Sequence, residues 1–300
     1  MIEQQKNLTG KVALVAGATR GAGRAIAVAL GAAGATVYCT GRTTRNHISD
    51  IGRTENIEDT AEMVSAKGGK GIAIQVDHSQ EAEVKGLIER IADEQKGQLD
   101  ILVNDIWGGE TLSEWGKPFW ELSLDKGLLL LERAVFTHIS TSRYAVPLMV
   151  ARGQGLVIEI TDGDSDNYRG NLVYDLAKAS VIRLAMGMAS ELKPKGITAV
   201  ALTPGFLRSE QMLDHFGVSE ANWRDAIKQD PFFAGSETPY FIGQAVVALA
   251  TDSKVAEKSG KALSTWHLGQ EYGFHDADGS QPHWANFYAA NRAKFEAKSD

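Results

Sequence analysis

The chain has little of several things, and each scarcity closes off a class of function. One cysteine, Cys39, stands in 300 residues, so no internal disulfide can form and a reducing compartment suits the chain. No apolar stretch approaches the roughly 20 residues that cross a bilayer; the densest is Leu128–Leu131. Met1–Asn7 is polar and holds no signal-peptide core. Positive charge is in deficit, with 31 Lys and Arg against 38 Asp and Glu and a net charge of −7. Neither nucleic acid nor an anionic membrane gains from such a surface. The histidines form no His-x-x-x-His zinc motif, and no Gly-x-Ser-x-Gly elbow marks a hydrolase. Asp162, Asp164 and Asp166 are spaced like the opening of a calcium loop, but Asn167 and Val173 stand at its glycine and glutamate places. The expectation is a soluble cytoplasmic protein with no metal, nucleic-acid partner or membrane.

Glycine, by contrast, is plentiful at 31 residues, and its placement organises the chain. A short apolar run, Val12–Ala16, leads into Gly17, Gly21 and Gly23. An alanine-rich helical pattern starts near Ala22, and a second apolar run, Ala35–Cys39, follows Gly34. Strand, glycine turn, helix, strand is the βαβ unit that holds a dinucleotide. Such a turn needs glycine because its backbone takes unusual angles and a pyrophosphate must approach it closely. The helix then aims free N–H groups and the positive end of its dipole at the phosphates.

The same rhythm continues along the chain. Helical spacing covers Glu55–Lys67, residues 80–96 (Val84, Leu87, Ile88 and Ile91 inward), two helices within 122–149, Leu172–Leu192 and Phe241–Thr251. Short apolar runs at Ile72–Val76, Leu99–Val103, Leu156–Thr161, Ile197–Leu202 and Lys261–Thr265 read as strands. This alternation predicts one α/β domain over residues 1–300, a Rossmann-type doubly wound parallel sheet of about seven strands. Its core falls in 8–266, and no pattern places the tail 267–300. Ligands of such sheets bind at the carboxyl ends of the strands. Here those ends are Gly17, Asp77, Asn104, Thr161 and the run from Thr203 through Pro204 to Gly205. Trp107, Leu207, Met212, Phe216, Trp223, Phe232 and Phe233 are candidates for an apolar pocket wall.

Tyr174 and Lys178 stand four apart in the helix that follows strand 156–161, so they share one face. A free phenol, with a pKa of about 10, is a poor base at neutral pH. A neighbouring ammonium favours the phenolate and makes the tyrosine a usable proton donor or acceptor; the same lysine can reach a ribose. Cofactor choice follows from charge. A unit that prefers NAD carries an acid about 20 residues after its glycines, whereas the second strand here ends in Cys39–Arg42 with none. Arg20 in the turn and Arg42 can both pair with a 2′-phosphate, which a guanidinium fork suits. NADP is therefore expected over NAD.

In this order, Gly17-x-x-x-Gly21-x-Gly23, Asp77, Asn104, Tyr174-x-x-x-Lys178 and Pro204-Gly205 resemble the short-chain dehydrogenase/reductase family over about residues 8–266. Residues 153–157, 246–252, 272–273 and 276–279 look like its dehydrogenase/reductase member 1 subgroup. The resemblance implies hydride transfer between a nicotinamide and a carbonyl or secondary alcohol, in a homodimer or homotetramer joined through helices around 122–149 and 172–192. It implies that Tyr174 exchanges a proton with the substrate oxygen beside Lys178. Gly17, Thr19, Arg20, Gly21, Gly23 and Arg42 would hold the cofactor, Asp77 would contact adenine, Asn104 would support the cofactor near the ribose, and Pro204 and Gly205 would border the nicotinamide.

Three positions depart from the family pattern. Ala16 stands where threonine is usual before the first glycine. The family's catalytic serine, twelve or thirteen residues before the tyrosine, is replaced by Thr161 or Asp162. A threonine hydroxyl can donate to a substrate carbonyl, whereas an ionised aspartate can only accept; Ser165 lies too close to Tyr174 for the role. The family's helix asparagine, part of a proton relay, falls at Glu132, which could relay protons or pair with Lys178. These departures leave a second reading open: an NADP-binding protein of the same fold with little turnover, acting as a sensor or through a partner.

Overall fold

Strands that are apolar on both faces must be covered on both faces. The computed structural model describes residues 7–165 and 167–296. Its strands are β1 (Val12–Ala16), β2 (Thr36–Gly41), β3 (Lys70–Gln75), β4 (Ile101–Asn104), β5 (Gly155–Ile160), β6 (Ile197–Thr203) and β7 (Ala262–Ser264). All pair in parallel, in the order β3-β2-β1-β4-β5-β6-β7. The helices are α1 (Gly21–Ala32), α2 (Ile57–Ala66), α3 (Glu81–Glu94), α4 (Leu124–Leu131), α5 (Thr137–Arg152), α6 (Leu172–Leu192), α7 (Glu210–Phe216), α8 (Pro239–Thr251), α9 (Thr265–Tyr272) and α10 (Trp284–Glu296).

Successive residues of each strand enter opposite cores. Val15, Val37, Val103 and Ile158 pack with Ile26 and Leu30 of α1 and Ile242 and Val246 of α8. Leu14, Tyr38, Leu102 and Val157 pack with Val84, Leu87 and Ile91 of α3 and Met149 of α5. Each such side chain contributes about 1.5–3 kcal/mol by leaving water. α1 and α8 meet closely because Gly243 has no side chain: a Cβ there would lie 2.9 Å from the Ala25 carbonyl oxygen. The chain runs from β1 outward to β2 and β3, then returns to β4 on the other side of β1. That reversal opens a crevice over the carboxyl ends of β1 and β4.

The last expected strand is shorter than its apolar run, and two stretches that carried no expectation, 206–239 and the tail, are structured. The two helices expected within 122–149 are α4 and α5, which run on from one another through a widened turn, Glu132–Phe136. Neither glycine nor proline stands at the junction to end the helix, and Pro147 lies well inside α5. Only Ala262–Ser264 of the last expected strand pairs with β6, and α9 starts at once. Phe206–Pro239 holds α7 and two short 3-10 turns, Trp223–Lys228 and Pro231–Gly235. The tail forms α9 and α10, and α10 seats on the second turn because Gly235 is bare: a Cβ there would lie 2.3 Å from the Phe287 ring. No helix among the described residues is long and apolar enough to cross a membrane.

Candidate active site

The crevice holds a cavity of about 740 Å3. Gly17, Thr19, Arg20, Gly21, Arg42, Asp77, Thr161, Asp162, Tyr174, Lys178, Pro204 and Gly205 all line it, as does Glu132 on the widened turn. The glycine turn is shaped by close backbone approach. Gly17 has φ +93°, and a Cβ on it would lie 2.4 Å from the Asp105 carbonyl oxygen; one on Gly23 would lie 2.2 Å from the Gly17 carbonyl oxygen. Asp105, directly after β4, accepts from the Gly23 N–H, and burial pushes its carboxyl up to about 7 against the pull of Lys178 and His138. The result is a concavity of bare backbone at the start of α1, which suits a phosphate.

Guanidiniums gather at the β2 side. Arg42 Nη1 lies 2.7 Å from Asp50 Oδ1, and Arg133 Nη2 lies 2.5 Å from Asp50 Oδ2. Burial works to raise the Asp50 carboxyl, yet Arg133 and Arg42 together hold it below its ordinary value. Arg20 pairs with Glu110, a cavity residue between β4 and α4. Asp77 closes a turn by accepting from the Ser79 N–H at 3.0 Å and the Ser79 hydroxyl at 2.8 Å.

At the other end, Asn171 caps α6 by accepting from the N–H groups of Val173 and Tyr174, fixing Tyr174 in the first turn. The Tyr174 hydroxyl donates to Asp162 Oδ2 at 2.7 Å. Thr161 turns its hydroxyl to the Lys178 carbonyl at 2.8 Å. Lys178 Nζ rests over the Trp107 ring, 4.0 Å from its centroid and 5.6 Å from that of Tyr174. Burial, then the Asp162 charge and hydrogen bond, push the phenol well above its ordinary value. Burial pulls the Lys178 ammonium down, against Asp162, Asp105 and Glu110. The expected lowering of the phenol by its lysine is therefore not what this arrangement does. Burial comes first and the carboxylate beside Tyr174 second, while the Lys178 ammonium faces an indole.

Several expectations change. Asn104 does not line the cavity: its Nδ2 donates to Glu159 Oε1 at 2.7 Å and Ser142 Oγ at 3.0 Å. Glu159, beside it in register on β5, is fully buried, and its other oxygen meets His138 Nδ1 at 2.6 Å. Any support Asn104 lends the cofactor is thus indirect. Gly23 likewise acts through packing rather than as a wall. No ion pair joins Glu132 to Lys178 among the described residues. Ser165 accepts from the Asn167 amide, outside the cavity lining. Of the expected apolar wall, Trp107, Leu207 and Met212 line the cavity. Phe216, Trp223 and Phe233 instead form a separate small core, and Phe232 stacks on Tyr288. Of the calcium-like run, Asp164 lies 3.8 Å from His267 Nδ1 and Asp166 lies outside the described residues. No group of three or more possible metal ligands occurs among the described residues.

Sequence reasoning missed Asp105, Glu110, Arg133, Glu237 and Trp284. Asp105 carried a signal, an acid at a strand end. Glu237 accepts from the Gly205 N–H at 2.9 Å and the Thr265 hydroxyl at 2.8 Å through one oxygen, and burial pushes it up to about 8. Trp284 comes from the tail, packs edge-on against Phe206, and closes the cavity beside Gly205.

The chain is similar in sequence and fold to known proteins. The short chain dehydrogenase family profile matches residues 11–216. Human dehydrogenase/reductase SDR family member 1 is 36% identical over 275 residues, covering 91% of this chain and 85% of its own length. A 3-oxoacyl-(acyl-carrier-protein) reductase of Staphylococcus aureus is 31% identical over 252 residues, 79% of this chain and 95% of that one. A short chain dehydrogenase structure from Mycobacterium thermoresistibile shares the fold with a TM-score of 0.76 at 21% identity, over 92% of each chain. Fold, site and sequence together place this chain in the short-chain dehydrogenase/reductase family, in the neighbourhood of dehydrogenase/reductase family member 1.

Proposed function

We propose that the chain is an NADP-dependent oxidoreductase that moves hydride between the nicotinamide and a carbonyl or secondary-alcohol carbon, with Tyr174 as the proton-transferring group. The observation that carries this reading is the convergence of Tyr174, Asp162 and Lys178 on the same cavity as the glycine cradle. When bound, the cofactor supplies or takes the hydride. The residues present fit it: Gly17 and Gly21 line the cavity without side chains, the Gly21 N–H donates to a carboxylate, Glu210 Oε2, at 2.8 Å where it could take a phosphate, and Arg42 and Arg133 grip a half-exposed carboxylate, Asp50, as they would grip a phosphate.

Burial and the Asp162 carboxylate keep Tyr174 as the protonated phenol, which makes it a donor toward a substrate heteroatom at neutral pH. Asp162, rather than Thr161, is the residue we assign to orient the reacting group, because the Thr161 hydroxyl is committed to the Lys178 carbonyl. Lys178 holds positive charge behind the phenol and stands where a ribose hydroxyl can reach it. Trp107 and Trp115 pack against the phenol ring, and Trp284 lines the same cavity. Exposed Leu124, Leu128, Ile139, Leu176 and Met186 on α4, α5 and α6 support assembly as a homodimer or homotetramer through those helices. The lone, buried thiol of Cys39 suits the cytoplasm.

Dissociation constants for NADPH and NADH, and a carbonyl and alcohol panel run on wild type and Tyr174→Phe, test the proposal. Tighter NADPH binding and Tyr174-dependent turnover are expected. NADPH binding without any turnover would favour the alternative, a cofactor-binding sensor or partner protein.

A further inference from the structure

The loop after β5 places a carboxylate where a reductase of neutral carbonyls needs a hydrogen-bond donor. Asp162 Oδ2 accepts the Tyr174 hydroxyl at 2.7 Å, and the hydroxyl beside it in sequence, on Thr161, faces the Lys178 carbonyl instead. Arg169 donates to the Asp162 main-chain oxygen and to Asp175 Oδ1, not to the Asp162 carboxylate. A carbonyl oxygen has only lone pairs and would meet those of Asp162 with no proton between them. A protonated nitrogen reverses both disadvantages: its N–H donates to the carboxylate, and its charge is neutralised there. The walls agree. The indoles of Trp107 and Trp115 flank the Tyr174 ring, with centroids 5.3 and 5.1 Å away. Trp107 already carries one cation, the Lys178 ammonium at 4.0 Å, and indole rings attract cations generally. Asp105 and Glu110 also act on Lys178, so Asp162 shares that charge with two other carboxyl groups.

We infer that the group reduced here is a protonated carbon–nitrogen double bond, an iminium carried by a flat, mainly apolar molecule and held by Asp162 beside Tyr174. The inference rests on the hydride chemistry proposed above and changes the heteroatom and the proton: Tyr174 gives none to a nitrogen that arrives protonated, and instead fixes Asp162 through the 2.7 Å hydrogen bond. The reduced nicotinamide gives its hydride to the iminium carbon, the C=N π pair becomes the nitrogen lone pair, and an amine and the oxidised nicotinamide result. The nitrogen keeps the proton it took from solvent before binding, so one proton is consumed per turnover.

Two bicyclic probes of one size separate the possibilities: 3,4-dihydroisoquinoline, an imine, and 1-tetralone, a ketone. With NADPH, wild-type kcat/KM for the imine should exceed that for the ketone about tenfold or more, the worth of one charged hydrogen bond. Asp162→Ser should bring that ratio to one or below. A second readout needs no turnover. By tryptophan fluorescence of the cofactor-free protein, the amine product 1,2,3,4-tetrahydroisoquinoline should bind wild type about tenfold tighter than Asp162→Asn, whereas 1-tetralol should not distinguish them. Faster reduction of the ketone by wild type, or amine binding unchanged in Asp162→Asn, overturns the iminium and leaves hydride transfer at Tyr174 standing. Failure of wild type to reduce either probe with NADPH bound overturns both.

Discussion

Arg42→Ala isolates the cofactor choice. Arg42 Nη1 and Arg133 Nη2 close on Asp50 from two sides, at 2.7 and 2.5 Å. A 2′-phosphate entering this corner would take the place of that carboxylate and keep both guanidiniums. A charge-assisted hydrogen bond contributes about 1.5–3 kcal/mol. Arg42 is a quarter exposed and Asp50 about half, so screening brings the expectation to the low end. Loss of Arg42 should therefore weaken NADPH about tenfold, at about 1.4 kcal/mol per decade, and leave NADH within a factor of about two. Asp50→Asn should act in the opposite sense, since it removes the anion that a phosphate must displace; NADPH should tighten, more so at low salt. Titration of nicotinamide fluorescence with each protein measures all these constants. Equal weakening of NADPH and NADH in Arg42→Ala, or tighter NADH than NADPH in wild type, refutes the reasoning.

Three further perturbations test other parts of the site. Gly23→Ala would push a Cβ to 2.2 Å from the Gly17 carbonyl oxygen and 2.8 Å from Asp105 Oδ2; a loss of about 1–3 kcal/mol in thermal or denaturant unfolding and weaker NADPH binding should appear together. Glu237 has a folded value of about 8 against an ordinary 4.5. A raised value means its contribution is whole below pH 4.5 and lost as pH rises through 8. Relative to Glu237→Gln, wild type should lose up to a few kcal/mol between pH 5 and 9, and parallel stability curves would contradict this. Trp284→Ala should open the cavity beside Gly205, raising KM for bulky apolar substrates while the NADPH dissociation constant stays put.

The sheet was legible because it depends on local periodicity: apolar runs of strand length alternating with helical spacing leave few topologies. The glycine turn was legible for the same reason, since its φ values and close contacts demand glycine within a few residues. What stayed hidden depends on contacts between distant segments. Nothing near Asn104 announces that β4 pairs with β5 so that Glu159 stands beside it and takes its amide. Thr161 and Asp162 are neighbours, and only the path of the loop decides which one meets Tyr174. The tail could not be placed because its anchor is remote: Gly235 and Phe206 receive Phe287 and Trp284 across some fifty to eighty residues of chain. The state of the phenol depends on distant contacts too: spacing shows the lysine but neither the burial nor the Asp162 carboxylate that raise it.

The central claim is that Tyr174 transfers the proton in a nicotinamide-dependent reduction at this cavity. NADPH oxidation should be followed with a panel of ketones in wild type and Tyr174→Phe, alongside the NADPH dissociation constant of each. The account predicts turnover in wild type, a loss of about a hundredfold or more in Tyr174→Phe, and NADPH binding within about twofold of wild type. Equal turnover in both proteins, or firm NADPH binding with no turnover in either, would contradict it.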